Sequence, residues 1–368
     1  MSSSRIIIRE AGERDSAGLV ELFRSTPQQG QIVINFERSP NFFWGAGVIS
    51  EEPLTLLAED SLNGKIVGSV SFGRKSVFIN GKSQRLRYGN DLHLHEDYRT
   101  GRTLIKLYKE ASKLFDSGEW CHTAILSDNE RSINAISKGR ASLPKYRFLN
   151  KVTSNLIYVG KGKRSLSKGY TVRRAVKADV AAMQAYFDLH GPRKQFFPVY
   201  DFSKIGCSDY YRGIDIEDYF LLFRNDELLG VVGVWDQQAF RQTRFLEYKG
   251  VFKILKPLYN AYSRLFGGLV LPAAGSTLNY QMLHSILIKD NNPEYFSIVI
   301  REIYTVLREL GCDAFVCGLS DGDPLKESLK GYRYRSNEVS HFVATYDDFD
   351  PRDRLDLTIP TYFEPGRW

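Results

Sequence analysis

The residues with the most chemical potential lie in one stretch, Asp91-Leu-His-Leu-His-Glu-Asp-Tyr-Arg-Thr-Gly-Arg-Thr-Leu104. Its second part, Arg99-Thr100-Gly101-Arg102-Thr103, mixes small and basic residues directly ahead of a helical pattern. A helix start of this kind aims several unpaired backbone N–H groups at one point, which suits a phosphate. Gly101 allows the backbone to approach a pyrophosphate closely, Arg99 and Arg102 add charge, and Thr103 brings a hydroxyl. The alternative is a helix start that happens to be basic. The strand pattern and the His-Glu-Asp-Tyr-Arg turn before it favour phosphate, because context confirms such a motif.

The helix that must hold this loop carries Leu104, Leu107, Tyr108, Ala111 and Leu114-Phe115 on one face, a stripe suited to packing on a sheet. Around it the chain repeats itself. Ile8–Asp15 and Val172–Asp179 are 164 residues apart and share Arg9/Arg173, Ala11/Ala175 and Asp15/Asp179. Each copy reads as a short strand, an acidic turn and an apolar-periodic helix. Leu56–Phe72 and Phe220–Trp235 both read as hairpins, and Ser127-Asp and Ser320-Asp form a third echo in the same order. The expected organisation is therefore two domains, 1–160 and 170–346, with a tail over 347–368. The glycine-rich basic stretch Val159–Gly169 is the linker. The tail is expected to pack irregularly through Leu355, Ile359, Tyr362 and Phe363.

Length and composition agree with two globular domains: 368 residues, 43% hydrophobic and 25% charged. No apolar run reaches the roughly 20 residues that span a bilayer, and the N-terminus has no secretory core. Four cysteines make no disulfide framework, so a soluble cytoplasmic chain is expected. The net charge of +7 is partly local. Between Phe240 and Arg264 stand six cations against one acid, Glu247. There Val251, Ile254, Leu255, Leu258, Tyr262 and Leu265 recur at helical spacing, Pro257 is a candidate helix start, and Gly267-Gly268 is a candidate C-cap. Segment 240–264 is either an amphipathic helix with a solvated basic face or a surface recruiting an anionic acceptor, acyl carrier or membrane. Cys312 and Cys317, and Cys121 with His122, lack the partners of a zinc site, so no metal is expected.

The order strand, helix, hairpin, strand, loop, helix, strand, helix, strand resembles the GNAT acyltransferase fold. The segment Asp91–Leu107 is similar to that family's coenzyme A signature, although Arg99 stands only two residues before Gly101. Ala124–Ile136, with Asn129-Glu-Arg, resembles its second motif. The likeness covers most of Arg5–Val159 and, more faintly, Tyr170–Tyr346. It implies an α/β fold of two tandem GNAT-like domains, each a mixed central sheet flanked by helices.

It also implies a site. The strand Asn90–His95 would offer the backbone of Leu92, His93 and Leu94 to the acyl arm, with an N–H for the developing oxyanion. Coenzyme A would contact Leu92, Leu94, Arg99, Thr100, Gly101, Arg102, Thr103, Leu104 and Asn129. An amine acceptor arrives mostly as ammonium, so a proton acceptor is needed. Asp91 is the nearest carboxylate, and His93 shares its strand face. Both could equally be half-exposed strand residues. The family's acid, a tyrosine, would fall at Ile136, where no hydroxyl exists. The second copy has no glycine at Asp290–Glu294 and is expected to hold no coenzyme.

The function implied is acyl-CoA-dependent N-acyl transfer, most simply of acetyl, to a small-molecule or peptide amine. The competing reading is a coenzyme-binding or partner-binding module without catalysis. An aminoacyl-tRNA-dependent transferase would not need the Arg99–Thr103 loop, and a nucleic-acid partner is not expected.

Overall fold

A computed structural model of the chain describes residues 5–99, 101–129, 133–134, 142–160, 162 and 169–368. In the first half the elements are β1 (Ile6–Glu10), α1 (Ser16–Arg24), β2 (Ile32–Glu37), α2 (Phe42–Gly47), β3 (Thr55–Asp60), β4 (Lys65–Ile79), β5 (Lys82–Leu94), α3 (Arg102–Ala111), β6 (Cys121–Leu126) and β7 (Lys145–Tyr158). The second half has β8 (Thr171–Arg174), α4 (Val180–His190), β9 (Tyr219–Arg224), β10 (Glu227–Trp235), β11 (Gln242–Tyr248), α5 (Gly250–Phe266), β12 (Tyr280–Ile288), α6 (Pro293–Glu309), β13 (Ala314–Ser320) and β14 (Tyr334–Thr345).

The repeat seen in the sequence is a repeat in space. Arg9 makes a two-pronged ion pair with Asp15 at 2.8 and 2.7 Å, and Asp15 also accepts the Gly12 N–H at 2.9 Å. Arg173 and Asp179 reproduce both features, at 2.7 and 2.7 Å, with the Val176 N–H at 2.8 Å. One charged pair in each copy thus closes the turn from the first strand into the first helix.

The two central sheets are joined into one of twelve strands, ordered β1-β3-β4-β5-β6-β14-β7-β13-β12-β10-β9-β8. Its order is symmetric about the β14–β7 pair. The last strand of each half is exchanged: β14 lies against β6, and β7 lies against β13. Among the described strands β5–β6 and β12–β13 are the parallel pairs, and each is bridged by a helix, α3 or α6, as a parallel crossover requires. A second, two-stranded sheet pairs β2 with β11 and links the halves again.

Burial follows the apolar pattern. α3 buries Leu104, Leu107, Tyr108 and Ala111, with Leu107 fully enclosed among residues of β3 and β4. Leu107→Ala would cost about 2–5 kcal/mol. The larger core sits under α4 and α6, where Trp235, Tyr219, Phe296 and Phe315 are fully enclosed. Among the described residues no helix is long and apolar enough to cross a membrane, and no cluster of side chains could hold a metal.

Two local expectations need correction. α5 runs through Pro257 instead of starting there, although Gly267 closes it as expected, with φ 77° and its N–H on the Ser263 carbonyl at 2.8 Å. The tail is irregular and buries Leu355, Tyr362 and Phe363 as expected, but Ile359 is only half-buried, and a charged residue, Arg367, is 1% exposed.

Candidate functional site

The site begins where β5 parts from β6. The two strands pair over Arg87–Gly89 and Cys121–Thr123 only. Thr123 Oγ1 donates to the Gly89 carbonyl at 2.6 Å, and beyond that point the strands diverge. On its other side β5 carries a bulge: Ser69 pairs His93 and Ser71 pairs Asn90, so Asp91 and Leu92 stand opposite Val70 alone. Asp91 has a φ of 52°, a left-handed conformation that Asp and Asn tolerate better than other L residues. Ser69 Oγ fastens the bulge by donating to the Asp91 carbonyl at 3.0 Å. Such a bulge turns backbone groups out of the ladder and re-aims side chains.

Asp91 and His93 both face α1 and the segment after β2. The Asp91 carboxylate is not free. Arg38 holds it at 2.5 Å in a buried ion pair, and Asn90 Nδ2 donates to its other oxygen at 2.9 Å. The Arg38 guanidinium also lies 5.5 and 5.6 Å from the Phe23 and Phe42 rings, a cation–π arrangement. His93 stacks on Phe23 at 3.9 Å, and its Nδ1 is 2.7 Å from Thr26 Oγ1. Burial pushes the imidazole down to about 4, against a smaller upward pull from Asp91, so it is neutral at pH 7.

The phosphate loop lies one turn beyond. Glu96–Tyr98 form a 3-10 turn, and Tyr98 donates to Asp60 at 2.6 Å, which ties the turn to β3. Arg99 Nε donates to the Leu94 carbonyl at 2.9 Å, so this arginine braces the loop while remaining exposed. Gly101 is the N-cap of α3 with φ 87°. The first helical bond runs from Ile105 N–H to the Gly101 carbonyl at 3.0 Å, so the N–H groups of Arg102, Thr103 and Leu104 precede the ladder. Thr103 and Leu104 are buried, and Arg102 is exposed. Leu92 and Leu94 pack at the margin of the α3 core. Thr100 lies outside the described residues, as does Ile136. Asn129 is exposed and opens a helical turn, its carbonyl accepting the Ile133 N–H at 3.0 Å.

The second half carries the same bulge and shows what a closed version looks like. Val231 pairs Leu287 and Gly233 pairs His284, leaving Ser285, φ 53°, and Ile286 in the positions of Asp91 and Leu92. Here the tail occupies the opening. Ser285 N–H donates to Glu364 Oε2 and Ile286 N–H to the Tyr362 hydroxyl, both at 3.1 Å. A Cβ on Gly318, at the facing edge of β13, would stand 2.5 Å from the Phe363 carbonyl. The start of α6 is closed too, since the Asn292 side chain accepts the Glu294 N–H at 2.8 Å. The N–H groups of this bulge and the Glu294 N–H at the helix start are thus taken by the protein.

The tail's anchor is Arg367. It donates to Glu364 at 2.9 Å, to the Val48 carbonyl at 2.6 Å and to the Tyr210 carbonyl at 2.8 Å, with Tyr210 and Trp235 around its guanidinium. Burial pushes Glu364 up, but Arg367, His284 and the Tyr200 hydroxyl outweigh it and hold the carboxyl below its usual range. From there Trp368 reaches the first opening, its indole donating to the Ala124 carbonyl of β6 at 3.0 Å. Lys75, Tyr88, His122, Glu364, Arg367 and Trp368 line a small cavity beside it. Lys75 is a charged group that sequence reasoning missed. Its Nζ lies 3.7 Å from the Tyr88 ring centroid, and burial lowers it to about 7. The signal was a lysine in an otherwise inward register of β4.

Segment 240–264 is largely committed to the protein. Arg241 donates to the Gly366 carbonyl at 2.6 Å, Arg244 pairs with Glu37 at 2.9 Å, and Lys256 donates to the Pro272 carbonyl.

No protein-family profile matches the chain, and no curated protein matches it in sequence. Solved structures do match in shape. A GCN5-related N-acetyltransferase from Sphaerobacter thermophilus superposes with a TM-score of 0.56 at 11% identity, covering 95% of this chain and 98% of that one. Saccharomyces cerevisiae N-myristoyltransferase with bound myristoyl-CoA gives 0.60 at 10% identity, covering 98% and 90%. The GCN5-related glucosamine N-acetyltransferase region of a fungal multi-domain GH3 β-N-acetylglucosaminidase gives 0.61 at 11% identity, over 94% of this chain and 38% of that chain. With the doubled strand order and the paired bulges, these likenesses identify the architecture: the chain has the GNAT fold, present twice in one continuous sheet.

Proposed function

We propose that the chain is an acyl-CoA-dependent N-acyltransferase whose first half is catalytic. The observation that carries this is the contrast between the two bulges. The same backbone device occurs twice: in one copy Glu364 and Tyr362 take the N–H groups of the bulge and Asn292 caps the helix start, and among the described residues no tail side chain bonds the corresponding Asp91 and Leu92 N–H groups.

In this reading the N–H groups of Arg102, Thr103 and Leu104 and the Arg102 side chain hold the pyrophosphate, with Gly101 allowing close approach. The sequence pattern adds Arg99, Thr100 and Asn129 as coenzyme contacts, and Leu92 and Leu94 border the acyl arm. The thioester is the activated acyl donor. The Leu92 N–H, turned out of the ladder, donates to the oxygen that gains charge during attack. The amine attacks as its neutral form; the C–N bond forms, the C–S bond breaks and coenzyme A departs as thiolate. The neutral His93 takes the proton shed by the nitrogen as the C–N bond forms and passes it to that thiolate. Thr26 Oγ1 is within reach of the Leu22 carbonyl at 3.0 Å. A threonine donating there accepts from His93 Nδ1–H and leaves the Nε2 lone pair for that proton. Asp91, held by Arg38, keeps the bulge in shape. The two ends of the opening are walled by α1 and by the Trp368 end of the tail, which excludes water from the reacting centre.

Acetyl is the simplest acyl group, and the acceptor is a small or peptidic amine. A binding module without catalysis is the second reading, favoured by the engagement of Asp91 with Arg38 and by isoleucine at position 136. Acetyl-CoA at 100 Kd should stabilise the chain by about 2.7 kcal/mol. Thiol release with an amine panel then separates the two readings. Binding without turnover supports the module, and no thermal shift with any acyl-CoA refutes both.

A further inference from the structure

α5 is turned the wrong way round for a helix of a water-soluble surface. Its protein-facing side holds Phe252, Lys256, Tyr259, Asn260 and Ser263. Asn260 is fixed by two bonds to Leu271, both at 2.9 Å, and Lys256 lies 4.0 Å from the Tyr248 ring. The opposite side is apolar and faces water. Ile254 is 79% exposed, Val251 and Leu258 70%, and Leu265 65%, with Leu255 and Phe266 about half exposed beside them. At 100° per residue these positions share an arc of about 120°. Single exposed hydrophobics need no explanation, but a contiguous stripe of this length does.

The charge pattern says what covers it. Gly250–Phe266 contains Lys253, Lys256 and Arg264 and no acidic residue. Lys253 and Arg264 are exposed on the polar side of the helix, and the Arg333 guanidinium lies 5.9 Å from the ring of Tyr262, which stands within the stripe. An apolar stripe backed by a polar side that carries cations and no acids is the chemistry of a helix lying in a lipid headgroup layer. A second copy docked on this face by a two-fold axis would bring like charges together. The helix is 17 residues, about 25 Å long, and runs along the surface through its whole length.

We propose that α5 docks the protein on an anionic membrane surface, its apolar stripe in the acyl boundary and Lys253, Arg264 and Arg333 at the headgroups. This stands apart from the transferase reading, since it concerns binding alone.

The full-length chain should co-float with vesicles of phosphatidylcholine and phosphatidylglycerol and much less with phosphatidylcholine alone. Binding should weaken in salt and fall about fivefold for each of Lys253→Gln and Arg264→Gln. The pair Ile254→Glu with Leu258→Glu should abolish it. Both positions are at the surface, so the fold is retained, and far-ultraviolet circular dichroism checks this. Tyr262→Trp supplies a local probe whose emission should move to the blue on adding the anionic vesicles. No flotation with anionic vesicles, or equal flotation of the Ile254→Glu, Leu258→Glu variant, overturns the proposal. So does a solution dimer that this variant converts to monomers, which would assign the face to a second copy.

Discussion

Replacing Asp91 by asparagine separates two roles that the sequence could not tell apart. Asparagine adopts the left-handed conformation at φ 52° as readily as aspartate, so the bulge backbone is not strained by the change. What is lost is the charge opposite Arg38. That guanidinium is 5% exposed, and its Nη1 already lacks a hydrogen-bond partner. Removing one member of a buried pair typically costs about 3–5 kcal/mol. Because the asparagine oxygen can still accept from Arg38, the lower end, about 3 kcal/mol, is expected here. With a urea slope near 3 kcal/mol per M, the unfolding midpoint should fall by about 1 M. Turnover of the folded enzyme should drop by less than about tenfold, since Asp91 takes no proton in this reading. Urea titration and initial rates measured at one temperature give both numbers. An unmoved midpoint with a rate loss of 10²-fold or more would make Asp91 the base and refute the structural role argued for it.

Three further outcomes follow from the same geometry. Gly101→Val should abolish coenzyme binding by calorimetry while leaving a folded chain, because a β-branched residue resists φ 87° and its side chain fills the phosphate approach; unchanged affinity would move the phosphate elsewhere. Lys75→Met should raise the unfolding midpoint at pH 7 by the equivalent of at least about 1 kcal/mol. A lysine lowered to about 7 binds fewer protons folded than unfolded, so wild-type stability should climb between pH 7 and 10, and the variant should lose that climb. Glu364→Gln should cost about 3–5 kcal/mol near neutrality by stranding Arg367. Its carboxyl is held below the usual range, so the stability it provides is present above about pH 4.3 and lost as pH falls; the variant's urea midpoint should be flatter through that acid range.

Features set by neighbours in the chain were readable in advance. The α3 stripe, the hairpins, the Gly101 start and the Gly267 cap all depend on residues within a turn or two. The Arg9–Asp15 and Arg173–Asp179 pairs were visible as a repeat, though not as ion pairs. Partnerships across long separations were hidden. Asp91 meets Arg38 from 53 residues away, and nothing in the local pattern around either announces it. Periodicity showed that α5 has an apolar side, but a stripe does not say which way it faces. Glu364 and Arg367 read as ordinary charged tail residues because their aromatic cage is assembled from Tyr200, Tyr210 and Trp235. The bulge was invisible for a related reason: an extra residue in β5 is defined only by the register of β4.

The exchanged last strands also set an order of events during synthesis. Leu126 of β6 pairs with Val339 of β14, so the first sheet half cannot be completed until more than 200 further residues have been made. Domains usually fold in turn as they emerge, N-terminal first. Here the nascent first half would wait with the β6 edge unpaired, and β7 would wait for β13. Unpaired edges invite pairing with other chains. Contacts so distant in sequence also make for slow folding. A cut in the linker would therefore yield two pieces each missing a strand that only the other can supply, and their natural product on mixing is the whole sheet.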